Sequence, residues 1–225
     1  MEIVVEHLSK VLGADTVLDD ISLSFHSGAV FGLRGRNGSG KTMLLRALCG
    51  LIVPTSGGIL VDGEVLGEGT PQAFPEDVGV LIESPGIIRR YSGMRYLREV
   101  ASIRGVASDE DIVELMMRLG LDPLSRKPIR TYSFGMRQKI GIIAALMEQP
   151  RLVLLDEPFN GLDDASVETV MQLIREARGR GALVVVASHD REELDDIADV
   201  IVHMKGGRVV HIDEGREGDS DGVEE

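Results

Sequence analysis

The stretch "GRNGSGKTMLLRALCG", Gly35 to Gly50, puts three glycines and a lysine directly ahead of a leucine-rich run that a fourth glycine closes. Glycine is a poor way to open a helix unless the turn itself has something to hold. Gly35, Gly40, Lys41 and Thr42 satisfy the spacing G-x-x-x-x-G-K-[ST], in which backbone N–H groups converge on phosphate oxygens at a helix N-terminus. In that pattern Gly35, Arg36, Asn37, Gly38, Ser39, Gly40, Lys41, Thr42 and Met43 surround the phosphates. Lys41 reaches the terminal phosphates and the Thr42 hydroxyl ligates magnesium. The alternative, a glycine-rich turn with a surface lysine, needs no strand before it and no helix after it.

Both flanks are present. "AVFGL" precedes the turn as a continuous apolar run of strand length, and "LVLL" and "ALVVVA" repeat that character further on. Such runs are expected of parallel strands covered on both faces. Helical patterns follow the first ("KTMLLRALCG") and separate the other two ("DASVETVMQLIREARGRG", with Gly179 and Gly181 as stop signals). An α/β fold with a parallel central sheet is predicted. "ISLSF", where Ile21, Leu23 and Phe25 alternate with serines, and "ILVDGEVL", folded about Asp62-Gly63, predict antiparallel strands with one wet face.

Between about residues 85 and 130 strand signals are few. "SDEDIVELMMRLGLDP" reads as an amphipathic helix started by Ser108 and Asp111, with Ile112, Leu115, Met116 and Leu119 on one face. A small inserted helical subdomain is predicted there, within a single domain over residues 1–212. The acidic end "DEGREGDSDGVEE", residues 213–225, is predicted to be a mobile tail.

Composition limits the partners. The chain has 225 residues and a formal charge of -13, which argues against broad binding to nucleic acid, so any phosphate site must be local. One cysteine, Cys49, excludes an internal disulfide, and the opening "MEIVVEHLSK" lacks the pattern of a signal peptide. The apolar runs fall well short of the roughly 18 residues that cross a bilayer. The expected location is cytoplasmic.

Hydrolysis of a bound nucleotide needs carboxylates beside the phosphates, and "LVLLDEP" supplies two at a strand end. Asp156 is the candidate magnesium residue and Glu157 the candidate general base for in-line attack on the γ-phosphate.

"YSFGMRQK", "NGLDDAS" and "VASHD" follow in the order seen in ATP-binding cassette subunits of transporters, and the resemblance covers nearly the whole chain. It implies a P-loop NTPase core of RecA-like type with an antiparallel β subdomain and the helical insertion. It also implies ATP and Mg2+ as ligands, a second ATPase subunit, identical or not, as partner in an ATP sandwich, and a separate integral membrane permease docked on the helical subdomain. "YSFGM" corresponds to the signature motif, usually close to L-S-G-G-Q, so Ser133 and Gly135 would meet the ATP held by the second subunit, while Phe134 replaces a glycine. Gly161, Leu162 and Asp163 match the loop that crosses the dimer interface, and His189 matches the switch histidine.

There are two departures. Leu12 stands where an adenine-stacking aromatic is common, and Glu83 in "VGVLIESPG" stands in place of the usual glutamine, close to magnesium. Glu83 and the "YSFGM" signature resemble the bacitracin-type and lantibiotic-immunity exporter branch, so export is expected rather than import. The competing readings are an ABC-type ATPase that serves DNA repair or ribosomes and a nucleotide-sensing regulator. The first usually has coiled-coil insertions or a second cassette, and the second does not need Glu157 and His189.

Overall fold

In the computed structural model the described residues are 1–67, 74–75, 77–83, 86–189 and 192–214. Pro85 at the start of the expected helical segment, Asp190 of "VASHD" and residues 215–225 of the acidic end lie outside them.

Two sheets are present among the described residues. The first, antiparallel, consists of β1 (Glu2–Leu12), β2 (Asp15–His26), β4 (Ser56–Val61) and β5 (Glu64–Val65), in the order β2-β1-β4-β5. The second consists of β3 (Val30–Arg34), β6 (Val78–Leu81), β7 (Leu152–Asp156), β8 (Leu183–Ser188), β9 (Val200–Lys205) and β10 (Arg208–Glu214), in the order β10-β9-β3-β8-β7-β6. All its neighbours are parallel except β10, which returns antiparallel on β9. The three apolar runs read from the sequence are adjacent strands at its centre. Asp213 and Glu214, assigned to the tail from sequence, are the last residues of β10.

β7 and β8 are buried along their whole lengths because both sheet faces are covered. Leu152, Leu154, Leu183 and Val185 join a core with α1 (Lys41–Leu48) and the antiparallel sheet. Val153, Leu155, Val184 and Val186 join a second core on the opposite face, with α4 (Phe134–Leu146) and α5 (Asp164–Gly179). Each such side chain contributes ~1.5–3 kcal/mol on leaving water, so these alternating residues are the main force that fixes the strand ends where the site is built.

The expected helical stretch holds α2 (Gly93–Arg104), α3 (Asp109–Arg118) and a single 3-10 turn, Ile129–Thr131. The capping box at the start of α3 forms as read, with Asp111 N–H donating to Ser108 Oγ at 3.1 Å and Ser108 N–H donating to Asp111 Oδ2 at 2.8 Å. Leu97, Ile112, Met116 and Ile129 belong to the same core as α4 and β7, so these helices share a hydrophobic interior with the central sheet. A last short helix, α6 (Glu192–Ile197), leads into β9. No helix of the described residues is long and apolar enough to cross a membrane.

Candidate nucleotide site

β3 ends at Arg34 and α1 begins at Lys41, so the glycine-rich turn hangs at the C-terminal edge of the parallel sheet, the edge at which such sheets bind ligands. Gly40 occupies the left-handed region at φ 104°, and no side chain caps the helix it precedes. The first-turn N–H groups of α1, which a helix cannot satisfy internally, therefore face the turn with the positive end of the helix dipole behind them. Gly38, at φ 80°, has nothing within 4 Å of where a Cβ would stand. That open backbone is the cradle a phosphate needs.

Lys41 is buried, and its Nζ donates to the Gly35 carbonyl at 2.7 Å. The same ammonium lies 3.6 Å from Glu157 Oε1. The Thr42 hydroxyl donates to Asp156 Oδ2 at 2.8 Å. Asp156 Oδ1 is buried with no hydrogen-bond partner among the described residues, and Ser39 Oγ is in the same condition. A buried carboxylate oxygen without a donor is costly, and burial is the main reason the Asp156 carboxyl is pushed above the usual aspartate range, the Glu157 charge adding to it and the Thr42 hydroxyl opposing it. Thr42 and Asp156 present oxygen ligands of the kind magnesium takes, and a cation there would relieve both the orphaned oxygen and the charge repulsion. The residues present fit the ion.

Glu157 follows at φ 48°, a conformation a non-glycine residue holds only where its surroundings impose it. Its carboxylate Oε2 stands 2.7 Å from His189 Nδ1, and the His189 ring is half exposed. Lys41, Thr42, Asp156, Glu157 and His189, read from separate motifs, are thus brought together. A cleft of about 560 Å³ runs along Lys41, Thr42 and Glu157, lined also by the rest of the turn from Asn37 to Met43, by Glu83, by Asp15 to Val17 on β2 and by Gly206 and Gly207. His189 lines a neighbouring hollow on the other side of the turn, with Arg34 to Ser39. Arg36 and Asn37 are exposed at the outer bend of the turn.

The other readings fall differently. Ser133 and Gly135 do not line the cleft. They lie at the start of α4, where Ser133 Oγ accepts from Met136 N–H at 3.1 Å. Leu12 ends β1 with its side chain about half exposed, outside the cleft lining. Glu83 lines the cleft, yet its carboxylate is paired with Arg46 Nη2 on α1 at 2.8 Å, a contact no motif announced. Gln138, within the quoted "YSFGMRQK" but given no role there, reaches the Glu157 carbonyl. It sits between Arg137 and Lys139 just ahead of the apolar run "IGIIAALM", so nothing in the sequence sets it apart from its polar neighbours.

Comparison with known proteins shows the family. The family model described as "ABC transporter" matches residues 18–160, more than half the chain. The uncharacterized ABC transporter ATP-binding protein YybJ of Bacillus subtilis is 40% identical over 90% of this chain and 92% of its own length. The bacitracin transport ATP-binding protein BcrA of Enterococcus faecalis is 35% identical over 93% of this chain and 69% of its own. For the lantibiotic transport ATP-binding protein SrtF of Streptococcus pyogenes the figures are 30%, 92% and 88%. Among solved structures, an ATP-binding subunit of an ABC transporter superposes with a TM-score of 0.79 at 26% identity, covering 95% of this chain and 90% of that one. A dimeric bacterial ABC transporter cassette superposes with a TM-score of 0.83 at 21% identity, covering 96% and 99%. By these likenesses the chain belongs to the ABC transporter family as an ATP-binding, ATP-hydrolysing subunit.

Proposed function

We propose that this chain drives export through a separate integral membrane permease from the cytoplasmic side, that two copies close on two ATP molecules with Mg2+, and that the exported substrate is a drug, a peptide antibiotic or a lipid-like molecule. The observation that carries the ATPase part is the meeting of Lys41 Nζ and His189 Nδ1 on the two oxygens of one carboxylate, Glu157, beside an uncapped helix N-terminus. Glu157 accepts the proton of the attacking water. Lys41 moves from the Gly35 carbonyl to the β- and γ-phosphates, and His189 orients the carboxylate while contacting the γ-phosphate. Thr42 and Asp156 would hold magnesium, with Glu83 a further oxygen within the same cleft, and the ion would supply charge neutralisation for the transferred phosphoryl group.

Export and its substrate class rest on the bacitracin and lantibiotic transport proteins among the relatives and on Glu83 and "YSFGM". The sandwich rests on the separation of Ser133 and Gly135 from the cleft of their own chain, which leaves them available to a second chain's nucleotide. Docking of the permease is assigned to the surface near Ile87 to Tyr96, where Arg89 and Arg90 are exposed.

ATPase assays with and without the permease test the reading. Lys41→Ala should abolish turnover, and Glu157→Gln should retain ATP binding while stalling hydrolysis by about 10²–10⁴-fold, the usual worth of a positioned general base. Near-normal hydrolysis by Lys41→Ala would defeat the nucleotide-site assignment. Charge reversal at Arg89 and Arg90 should impair transport more than ATP binding; an equal loss of both would remove the docking assignment.

A further inference from the structure

α4 enters the core directly behind the signature stretch, and its fifth residue, Gln138, is polar in a helix whose other buried residues are apolar or glycine. The side chain is 6% exposed. Burying an amide costs free energy unless its groups find partners, and the partner of Nε2 is the backbone carbonyl of Glu157, 2.9 Å away. On the other side of the same residue, Glu157 N–H donates to the Ala187 carbonyl of β8 at 2.8 Å. The catalytic carboxylate therefore projects from a residue clamped at both its N–H and its C=O.

The clamp matters because of the conformation it imposes. Glu157 sits at φ 48°, which is strained for a non-glycine residue and persists only where the surroundings over-determine it. Ala187 alone leaves rotation of the following peptide unrestrained, whereas a donor on the Glu157 carbonyl fixes that peptide. Three neighbouring contacts repeat the tie between α4 and the loop after β7. Lys139 Nζ lies 3.6 Å from Asp163 Oδ2. A Cβ on Gly161 would stand 2.3 Å from the ring of Phe134, and one on Gly135 would stand 2.3 Å from the Gly161 carbonyl. The start of α4 and the Glu157–Asp163 loop are thus in direct contact along their length.

We propose that Gln138 is a positioning residue for hydrolysis, which holds the Glu157 backbone in its left-handed conformation so that the carboxylate is aimed at the attacking water. The proposal rests on the assignment of Glu157 as general base. It acts wholly within one chain and requires no second subunit.

The test uses Gln138→Met, of similar volume but without a donor, and Gln138→Glu, whose carboxylate repels the carbonyl, each alone and combined with Glu157→Ala. Purified full-length protein is assayed for ATP affinity, for multiple- and single-turnover hydrolysis with Mg2+, and for Tm. Misplacement of a catalytic group by about 1 Å can lower the rate by ~10²-fold, so kcat should fall about tenfold to a hundredfold in both single variants, with KM and ATP affinity within about twofold. In the Glu157→Ala background the residual rate should not change further, because the residue that Gln138 positions is gone. A rate loss that persists in that background, or one that follows Tm or ATP affinity, would mean a merely structural role. Wild-type turnover in Gln138→Met and Gln138→Glu, with Glu157→Ala impaired, would overturn this inference alone. Undiminished turnover in Glu157→Ala would overturn both it and the general-base assignment beneath it.

Discussion

At the scale of single residues, the site stores a conflict that nucleotide and metal are suited to resolve. Asp156 is 6% exposed, one of its oxygens lacks a partner, and Glu157 adds a second negative charge beside it. Burial, helped by that neighbour, raises its pKa above the ordinary aspartate value of ~3.9. The folded protein therefore holds this proton more tightly than the unfolded chain does. Stability of the ligand-free protein falls as pH rises through the window between the ordinary and the raised value, and the penalty is present in full above it. Asp156→Asn keeps an acceptor for the Thr42 hydroxyl and removes the buried charge. It should raise the Tm of the ligand-free protein by about 2–4 °C near neutral pH, the shift that ~1 kcal/mol produces in a domain of this size, while abolishing magnesium-dependent hydrolysis. Differential scanning calorimetry with an ATPase assay checks it, and a Tm lowered at neutral pH would show that the carboxylate is stabilising. Glu83 presents a related choice, since its carboxylate is held by Arg46. Arg46→Met should free it toward the metal and lower the magnesium concentration needed for half-maximal hydrolysis by a few-fold; an unchanged midpoint in magnesium titrations would mean that the ion pair does not restrain it.

At the scale of elements, what could be read from the sequence depended on whether a segment's environment is uniform along its length. β7 and β8 are buried end to end and β3 up to its last residue, Arg34, so continuous apolar runs announced them, and the capping box of α3 is a local signal that needs no tertiary help. β1 was harder. Ile3 and Val5 are buried on alternate positions and then Leu8 continues out of phase, because His7 sits at φ 48° in a bulge that shifts the register against both β2 and β4. β2 repeats this at Asp20, between Leu18 and Ile21. Gly57 accommodates the first bulge, since a Cβ there would stand 2.2 Å from the His7 carbonyl. The site residues at strand ends were legible as motifs because phosphate chemistry dictates their types. The Gln138 and Arg46 contacts were not, since they join residues far apart in sequence whose types alone do not specify a partner.

The same reasoning isolates one glycine as structural. A Cβ on Gly79 would stand 1.8 Å from the Ala145 carbonyl of α4, so this edge strand and the helix over it are in backbone contact. Gly79→Ala should cost about 2 kcal/mol or more, lowering Tm by roughly 4–8 °C. Gly58→Ala in β4, with open space around its Cβ position, should be neutral or slightly stabilising. Equal Tm values for the two variants would show that β6 and α4 can separate freely.

At the scale of the whole molecule, charge and the proposed sandwich oppose each other. Each chain carries a formal net charge of -13, and two copies that close on two ATP molecules bring together a net charge of -26 besides the nucleotides, twice the single-chain value. Magnesium and the local cations of the site offset only the charge next to the phosphates. The remaining repulsion acts over the Debye length, ~8 Å at physiological ionic strength and ~3 Å at 1 M, so added salt should screen it and favour closure. Glu157→Gln, expected to hold ATP while hydrolysing it about 10²–10⁴-fold more slowly, permits the measurement close to equilibrium. With saturating ATP and Mg2+, analytical ultracentrifugation should show the dimer dissociation constant falling several-fold between about 50 and 500 mM NaCl. A dissociation constant that rises with salt would mean that opposite charges paired across the interface outweigh the net repulsion. A protein that stays monomeric at every salt and protein concentration would mean that this chain does not close on itself, leaving a different cassette or the permease to complete the sandwich.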